Sequence, residues 1–313
     1  MRYKILIEYD GTNILGWQRQ LDGPSVQEYL ETALTFLAPK EPVKQDESAS
    51  TGSALQAPAA TLPELRHKSG FGEENADADT ERKTAAYNSV REDLSTGSAL
   101  QAPATTRFIE VFGAGRTDAG VHALAQVAHF DLEREIEDWK LRDALNFHLR
   151  EMEAPVVILD AEPVPDTFNA RFSAKGRSYI YRILNRRTPA VLQKNRVWWV
   201  PVELDVEKMR QAAVHLLGHH DFSSFRAAAC QAKSPLKTLD KLDITVSGEE
   251  IIFSVEARSF LHHQVRNMVG TLKLVGDGHL QPEDIKTILE AKDRKAAGPT
   301  APACGLYLSK VWY

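Results

Sequence analysis

The stretch Gly113-Ala114-Gly115-Arg116-Thr117-Asp118-Ala119-Gly120-Val121-His122 (GAGRTDAGVH) places one carboxylate in a loop of small residues, two positions after an arginine. The apolar run Phe108-Ile109-Glu110-Val111-Phe112 leads into it and predicts a strand over 108–112. Gly113 and Gly115 have no third glycine at dinucleotide spacing, and no Gly-Lys-Ser/Thr follows, so the loop is not a phosphate cradle. An arbitrary Arg-x-Asp is more often a surface ion pair than a site. Here, small neighbours let a bulky planar group approach, and a nearby cation keeps the carboxylate ionised. An ionised, accessible Asp118 can act as nucleophile or as general base.

Helix and strand signals alternate outward from this loop. Upstream, 1–10 reads as a strand, and Ser25-Val26-Gln27-Glu28 forms a capping box ahead of Val26, Leu30, Ala33, Leu34 and Leu37 at helical spacing. Downstream, strands are predicted at 126–130 and 179–184 and a helix at 139–149. The second half repeats the grammar: a helix over 209–217, strands at 242–246 and 251–257, helices over 265–275 and 281–291, and a last strand at 306–311. This interspersion predicts an α+β fold with helices packed on one face of the sheet and two similar halves forming a cleft.

One segment breaks the pattern. Residues 44–107 are rich in Ala, Ser, Thr, Glu and Asp, poor in aromatics, and carry a decapeptide, STGSALQAPA, at both 50–59 and 95–104. Such composition offers little apolar area to offset ordering entropy, so 44–107 is read as a polar, disordered insertion. The expected division is therefore 1–43 with 108–185 as an N-terminal catalytic half, and 186–313 as a C-terminal half.

The 313 residues carry a net charge of −5, which argues mildly against nucleic acid. Residues 44–107 hold seven Lys/Arg and ten Asp/Glu, so about −2 is left for the rest of the chain, where cations can cluster. Arg171, Lys175, Arg177 and Arg182 surround Tyr179 and Tyr181, with Arg186 and Arg187 just after. Such a strand either contacts phosphates and stacks a base or is a solvated face over two packed tyrosines. No apolar run approaches the roughly 20 residues of a membrane span, and the N-terminus lacks a signal peptide's apolar core. With two distant cysteines, Cys230 and Cys304, a reducing cytoplasm is the expected compartment. His215 and His219 lie four apart on a predicted helix, followed by His220 and Asp221, with His262-His263 further on. No Glu completes an HExxH pattern, so the histidines are read as cap or packing residues, and Cys230 as a small core filler.

The segment GAGRTDAGVHALAQVAHF (113–130) closely resembles the catalytic segment of the tRNA pseudouridine synthase A family. Six further segments agree in order: YDGTNILGWQRQ (9–20), SVQE (25–28), FNARFSAKGRSYIYRI (168–183), LLGHHDFSSFRA (216–227), FLHHQVRNMVGTL (260–272) and GLYL (305–308). The resemblance implies two ferredoxin-like (RRM-like) halves forming a central sheet with a basic cleft, a homodimer, and no cofactor or metal. It implies isomerisation of uridine to pseudouridine at positions 38–40 of the tRNA anticodon arm. By motif position, Asp118 is the nucleophile, Tyr179 stacks on the target base, Arg266 pairs with Asp118, Arg116 helps displace the base and Leu306 packs against the pocket. Arg171, Lys175, Arg177 and Arg182 are candidate RNA contacts. The chain departs from the family pattern at Ile14-Leu15, around Leu149-Arg150-Glu151-Met152, and in the insertion.

Two other readings compete. A non-catalytic RNA-binding or folding protein would keep the cleft, but binding alone gives no reason for a carboxylate facing an anionic backbone. A glycosidase needs a second catalytic carboxyl group, and none accompanies Asp118.

Overall fold

A computed structural model describes residues 1–37 and 109–313; the insertion expected at 44–107 lies outside the described residues. The elements, in order, are β1 (Arg2–Tyr9), α1 (Val26–Thr35), β2 (Phe112–Gly113), β3 (His122–Asp131), α2 (Asp138–Glu151), β4 (Val156–Val164), β5 (Gly176–Asn185), β6 (Trp198–Val200), α3 (Val206–Val214), β7 (Gly218–Asp221), β8 (Leu236–Ser247), β9 (Glu250–Ala257), α4 (Gln264–Gly276), α5 (Asp284–Ala291) and β10 (Leu306–Trp312).

All ten strands join in one sheet of order β4-β1-β3-β10-β5-β9-β8-β7, with β2 paired to β3 and β6 to β5. Two stretches of this order are equivalent. β4-β1-β3-β2 and β10-β5-β9-β8 each arise from a strand, a helix-bearing crossover, two adjacent antiparallel strands, a second helical crossover and a returning strand. β10 joins them, antiparallel to β5 and parallel to β3 through Tyr307 opposite His122 and Leu308 opposite Ala123. The two stretches differ at the connection between their middle strands. β8 and β9 are joined by Gly248-Glu249, whereas β2 and β3 are separated by residues 114–121, which include Asp118.

Burial follows the strand period. Tyr3, Ile5 and Ile7 of β1 and Ile251, Phe253 and Val255 of β9 point into one continuous core, while Lys4, Glu8, Ile252 and Ser254 are only half-buried or exposed. Leu30 and Leu34 of α1, Leu141 and Leu145 of α2, Met209 of α3, Met268 and Leu272 of α4 and Ile285 of α5 complete that core, so the helices cover one face. Ser25 begins α1 as read, its hydroxyl accepting from the Glu28 N–H at 3.2 Å.

Several boundaries differ from the sequence reading, the strands expected from 126 and 242 beginning at His122 and Leu236, and three of the differences have a visible cause. The strand expected over 108–112 is reduced to Phe112–Gly113, because α1 takes the backbone groups of Val111: Glu31 Oε1 accepts from its N–H and Gln27 Nε2 donates to its carbonyl, both at 3.3 Å. The helix expected to 217 ends at Val214 with His215 as its cap, and the chain turns through Gly218 (φ 95°) into β7. The last helix starts at Asp284, whose carboxylate caps the N–H of Gln281. At the departures from the family pattern, Ile14 is buried, its N–H bonded to the Gly11 carbonyl, and Leu149 closes the buried face of α2 before Met152 caps it.

Gly270 fixes the depth of α4. A Cβ there would lie 1.8 Å from the Pro299 carbonyl oxygen, which no shift of a flexible side chain can relieve. Gly270→Ala is therefore expected to lower stability by at least about 1–3 kcal/mol as overpacking, despite alanine's better helix propensity. Urea unfolding checks this; an unchanged or raised midpoint would show that α4 is not seated by this contact.

Candidate active site

Asp118 sits in a loop held from three sides. Ala114 N–H donates to the Val127 carbonyl (2.7 Å), and Gln126 Nε2 donates to the Gly115 carbonyl (2.8 Å). Tyr9 and Thr117 share a buried hydroxyl–hydroxyl bond of 2.8 Å, and the Trp17 N–H donates to the Thr117 carbonyl at 3.1 Å. The N–H of Val121 then closes a turn on the Asp118 carbonyl (3.1 Å). β1, the segment after it and β3 thus fix the backbone on both sides of Asp118, and its side chain, 27% exposed, reaches toward α4.

The small residues answer to different constraints. A Cβ on Gly113 would meet the Trp17 indole at 2.5 Å, so this glycine makes room for a core side chain rather than for a substrate. Gly120 has φ 77° and serves the turn. Gly115 alone faces the prospective pocket: a Cβ there would lie 3.7 Å from Arg177 Nε and 3.9 Å from the Tyr179 hydroxyl, which is ordinary contact. The room read from the sequence belongs to Gly115, and the other two glycines are structural.

The cation at the carboxylate is Arg266, 148 residues away, and not Arg116. Arg266 lies in the first turn of α4; its NH1 donates to Asp118 Oδ2 at 2.9 Å and its Nε to the Ala301 carbonyl at 2.8 Å. Only 14% of its side chain is exposed, so the pair is poorly screened. Arg116 is exposed and has no hydrogen-bond or ion-pair partner among the described residues. Tyr179, on β5, is buried with Phe260 edge-on at 5.1 Å. Burial pushes its phenol up to about 12; Arg177 opposes that and the Asp118 charge adds to it, so the ring stays neutral at working pH. Leu306, at the start of β10, is buried opposite Tyr181.

The four expected RNA cations divide into two kinds. Arg177 donates to the carbonyls of Ala114, Arg171 and Arg258, tying the Asp118 loop to β5 and the end of β9. Arg182 is bidentate to Glu250 at 2.9 Å and lies over the Tyr307 ring. Arg171 and Lys175 are exposed with no ion-pair partner among the described residues.

The sequence reading set the histidines aside, and the structure separates them. His215 caps α3 while His219 sits on β7 beside Thr238, so the helical i, i+4 pairing does not form. His262 and His263 instead flank Asp118, with Nε2 atoms 3.2 Å from Oδ1 and 3.1 Å from Oδ2. The signal lay in spacing: His263 precedes Arg266 by three residues, one helical turn, so whatever meets Arg266 also meets His263. Asp118, His262 and His263 bring three ligand atoms within 4.8 Å, the arrangement among the described residues that could hold a metal ion.

Loss of Arg177 and loss of Arg116 are expected to separate. Arg177→Ala removes charge-assisted hydrogen bonds to three carbonyls, that of Ala114 part-buried, and lowers stability by about 1–2 kcal/mol. Arg116→Ala changes it by less than about 0.5 kcal/mol. Chemical unfolding of both variants distinguishes them; equal stability would mean that Arg177 is not the strut of the loop.

The chain is similar in sequence to known proteins along its whole length. Residues 212–313 match the family described as tRNA pseudouridine synthase. Over 312 residues, all of this chain, it is 47% identical to tRNA pseudouridine synthase A of Paramagnetospirillum magneticum, covering 95% of that protein. Identity is 46% to the enzyme of the same name from Rhodospirillum centenum and 45% to that from Sinorhizobium fredii, each covered to 99%. With nearly half its residues shared end to end with such proteins, the chain belongs to the tRNA pseudouridine synthase A family.

Proposed function

We propose that this protein is an isomerase that converts uridine to pseudouridine in tRNA, with Asp118 starting the reaction. The observation that carries the reading is the half-exposed Asp118 carboxylate, paired with the largely buried Arg266 at 2.9 Å and held on a loop braced by Tyr9, Trp17 and Gln126. The reaction breaks the N1–C1′ bond, turns the uracil, and forms C5–C1′; the proton lost from C5 is balanced by one gained at N1. No electrons enter or leave, so no redox cofactor is called for. Asp118 either attacks C1′ and is later displaced by C5, or removes a ribose proton that is afterwards returned. Both routes use it as a carboxylate, to which Arg266 donates at 2.9 Å. A uridine in a helical arm must first leave its stack, at a cost of a few kcal/mol. Tyr179 offers the replacement stacking surface, and Gly115 leaves the space beside it.

We assign Arg171 and Lys175 to phosphate contacts because both are exposed and neither has an ion-pair partner among the described residues, and Arg177 and Arg182 to holding the cleft. Unpartnered Arg116 is suited to entering the position that the base vacates. The family resemblance supports positions 38–40 as targets, a homodimer, and the cytoplasm as the place of action. Among the described residues no helix is long and apolar enough to cross a membrane. The strand orders β4-β1-β3-β2 and β10-β5-β9-β8 support two ferredoxin-like halves, divided near residue 185 and interrupted by the 44–107 insertion.

Asp118→Asn tests the reading. The amide is nearly isosteric and leaves the loop's backbone bonds in place, but supplies neither nucleophile nor base. Affinity for tRNA should stay within a few-fold of wild type, while single-turnover pseudouridine formation drops by at least about 1,000-fold. Substantial turnover by this variant would reduce Asp118 to a structural partner of arginine.

A further inference from the structure

Arg266 already donates to the Asp118 carboxylate, and His262 and His263 add two further rings against it. Their placement follows the carboxylate closely. Adjacent side chains in extended chain point to opposite sides. Here, His263 adopts the left-handed conformation (φ 61°) ahead of α4, and the two rings lie 4.0 Å apart, both against Asp118. Neither ring meets hydrogen-bond geometry toward the carboxylate despite separations of 3.2 and 3.1 Å, whereas Arg266 does. Ligands around a shared ion lie in this way, because their lone pairs converge on the ion and not on each other. The rings approach the two oxygens of one carboxylate, and one ligand atom from each of the three residues lies within 4.8 Å of the others, close enough to converge on a single ion.

We propose that Asp118, His262 and His263 form a binding site for a zinc-class transition-metal dication, and that its occupation inhibits the enzyme by taking the carboxylate that the reaction needs. The inhibitory half of this proposal rests on the role of Asp118 given above. Two imidazoles and one carboxylate suit Zn²⁺, Co²⁺ or Ni²⁺ and discriminate against Mg²⁺, which prefers an all-oxygen shell. Solvent completes the shell, because the site is open: His262 keeps 40% of its side-chain exposure. The Arg266 cation, 2.9 Å from the same carboxylate, weakens the site, so occupation is reversible and follows free metal concentration. The metal is an inhibitor here and no part of the isomerisation.

Cobalt reports the site directly. Titrating Co²⁺ into the full-length, chelator-treated protein should give a visible d–d absorption that saturates at one equivalent and is displaced by Zn²⁺. Loss of a metal's outer-shell partner typically weakens binding 10–100-fold, so His262→Gln and His263→Gln, which remove ligands, should each weaken it at least about tenfold. Cys230→Ser should retain the signal, and Arg266→Gln should tighten it, which a nonspecific surface site would not do. In parallel, Zn²⁺ should slow pseudouridine formation by wild type in a manner that chelator reverses. No cobalt spectrum in wild type, or one unchanged in both histidine variants, would overturn the site. Full activity of the metal-loaded protein would overturn the inhibition. Inactive Asp118→Asn with no cobalt signal in wild type would leave the catalytic reading standing and remove only the metal.

Discussion

The ion pair between Asp118 and Arg266 is the contact on which the site depends. Its two members come from parts of the chain 148 residues apart: one on the loop between β2 and β3, the other in the first turn of α4. Each is positioned by its own scaffold before they meet. The loop is pinned by Tyr9, Trp17 and Gln126, and α4 is seated by the approach of the Pro299 carbonyl to Gly270. Arg266 is then aimed by its second bond, from Nε to the Ala301 carbonyl. A guanidinium fixed at two points presents a defined edge to the carboxylate, which a flexible ammonium does not.

The repeated strand order explains how such distant residues come together. Two stretches of the same order join within one sheet where β10 enters between β3 and β5, and this brings the middle-strand connection of the first half up to the first turn of α4. In the second half the equivalent connection is a two-residue turn. In the first it is eight residues long and carries Arg116, Asp118 and Gly115. One lengthened hairpin sets the first half apart from an otherwise repeated frame, and loops on rigid scaffolds commonly carry chemistry.

Much of this was legible in the chain. Period-two burial in β1 and β9, the Ser25 cap and the apolar face of α1 follow from local pattern, and the structure reproduces them. The strand predicted before the Asp118 loop was not, because Gln27 and Glu31, side chains from another element, take the hydrogen bonds a strand partner would have taken. Proximity alone pointed to Arg116 as the cation beside Asp118, whereas the family resemblance gave Arg266, the partner found. Proximity in a turn does not bring two side chains together, whereas a helix first turn that reaches across the sheet does. Likewise, four nearby cations read alike as letters, yet two of them are fully occupied by carbonyls or by Glu250. Pairing with partners remote in sequence is the information that composition and spacing lack.

The central claim is that Arg266 serves the chemistry of Asp118 through a fixed two-point geometry, beyond its charge. Measuring tRNA affinity and single-turnover pseudouridine formation for Arg266→Lys tests it most directly, because lysine keeps the charge and loses the fork. The account predicts affinity within about threefold of wild type and a rate reduced by at least about 100-fold, as when a preorganised electrostatic partner is removed from a reacting group. A wild-type rate, or a loss confined to affinity, would contradict it.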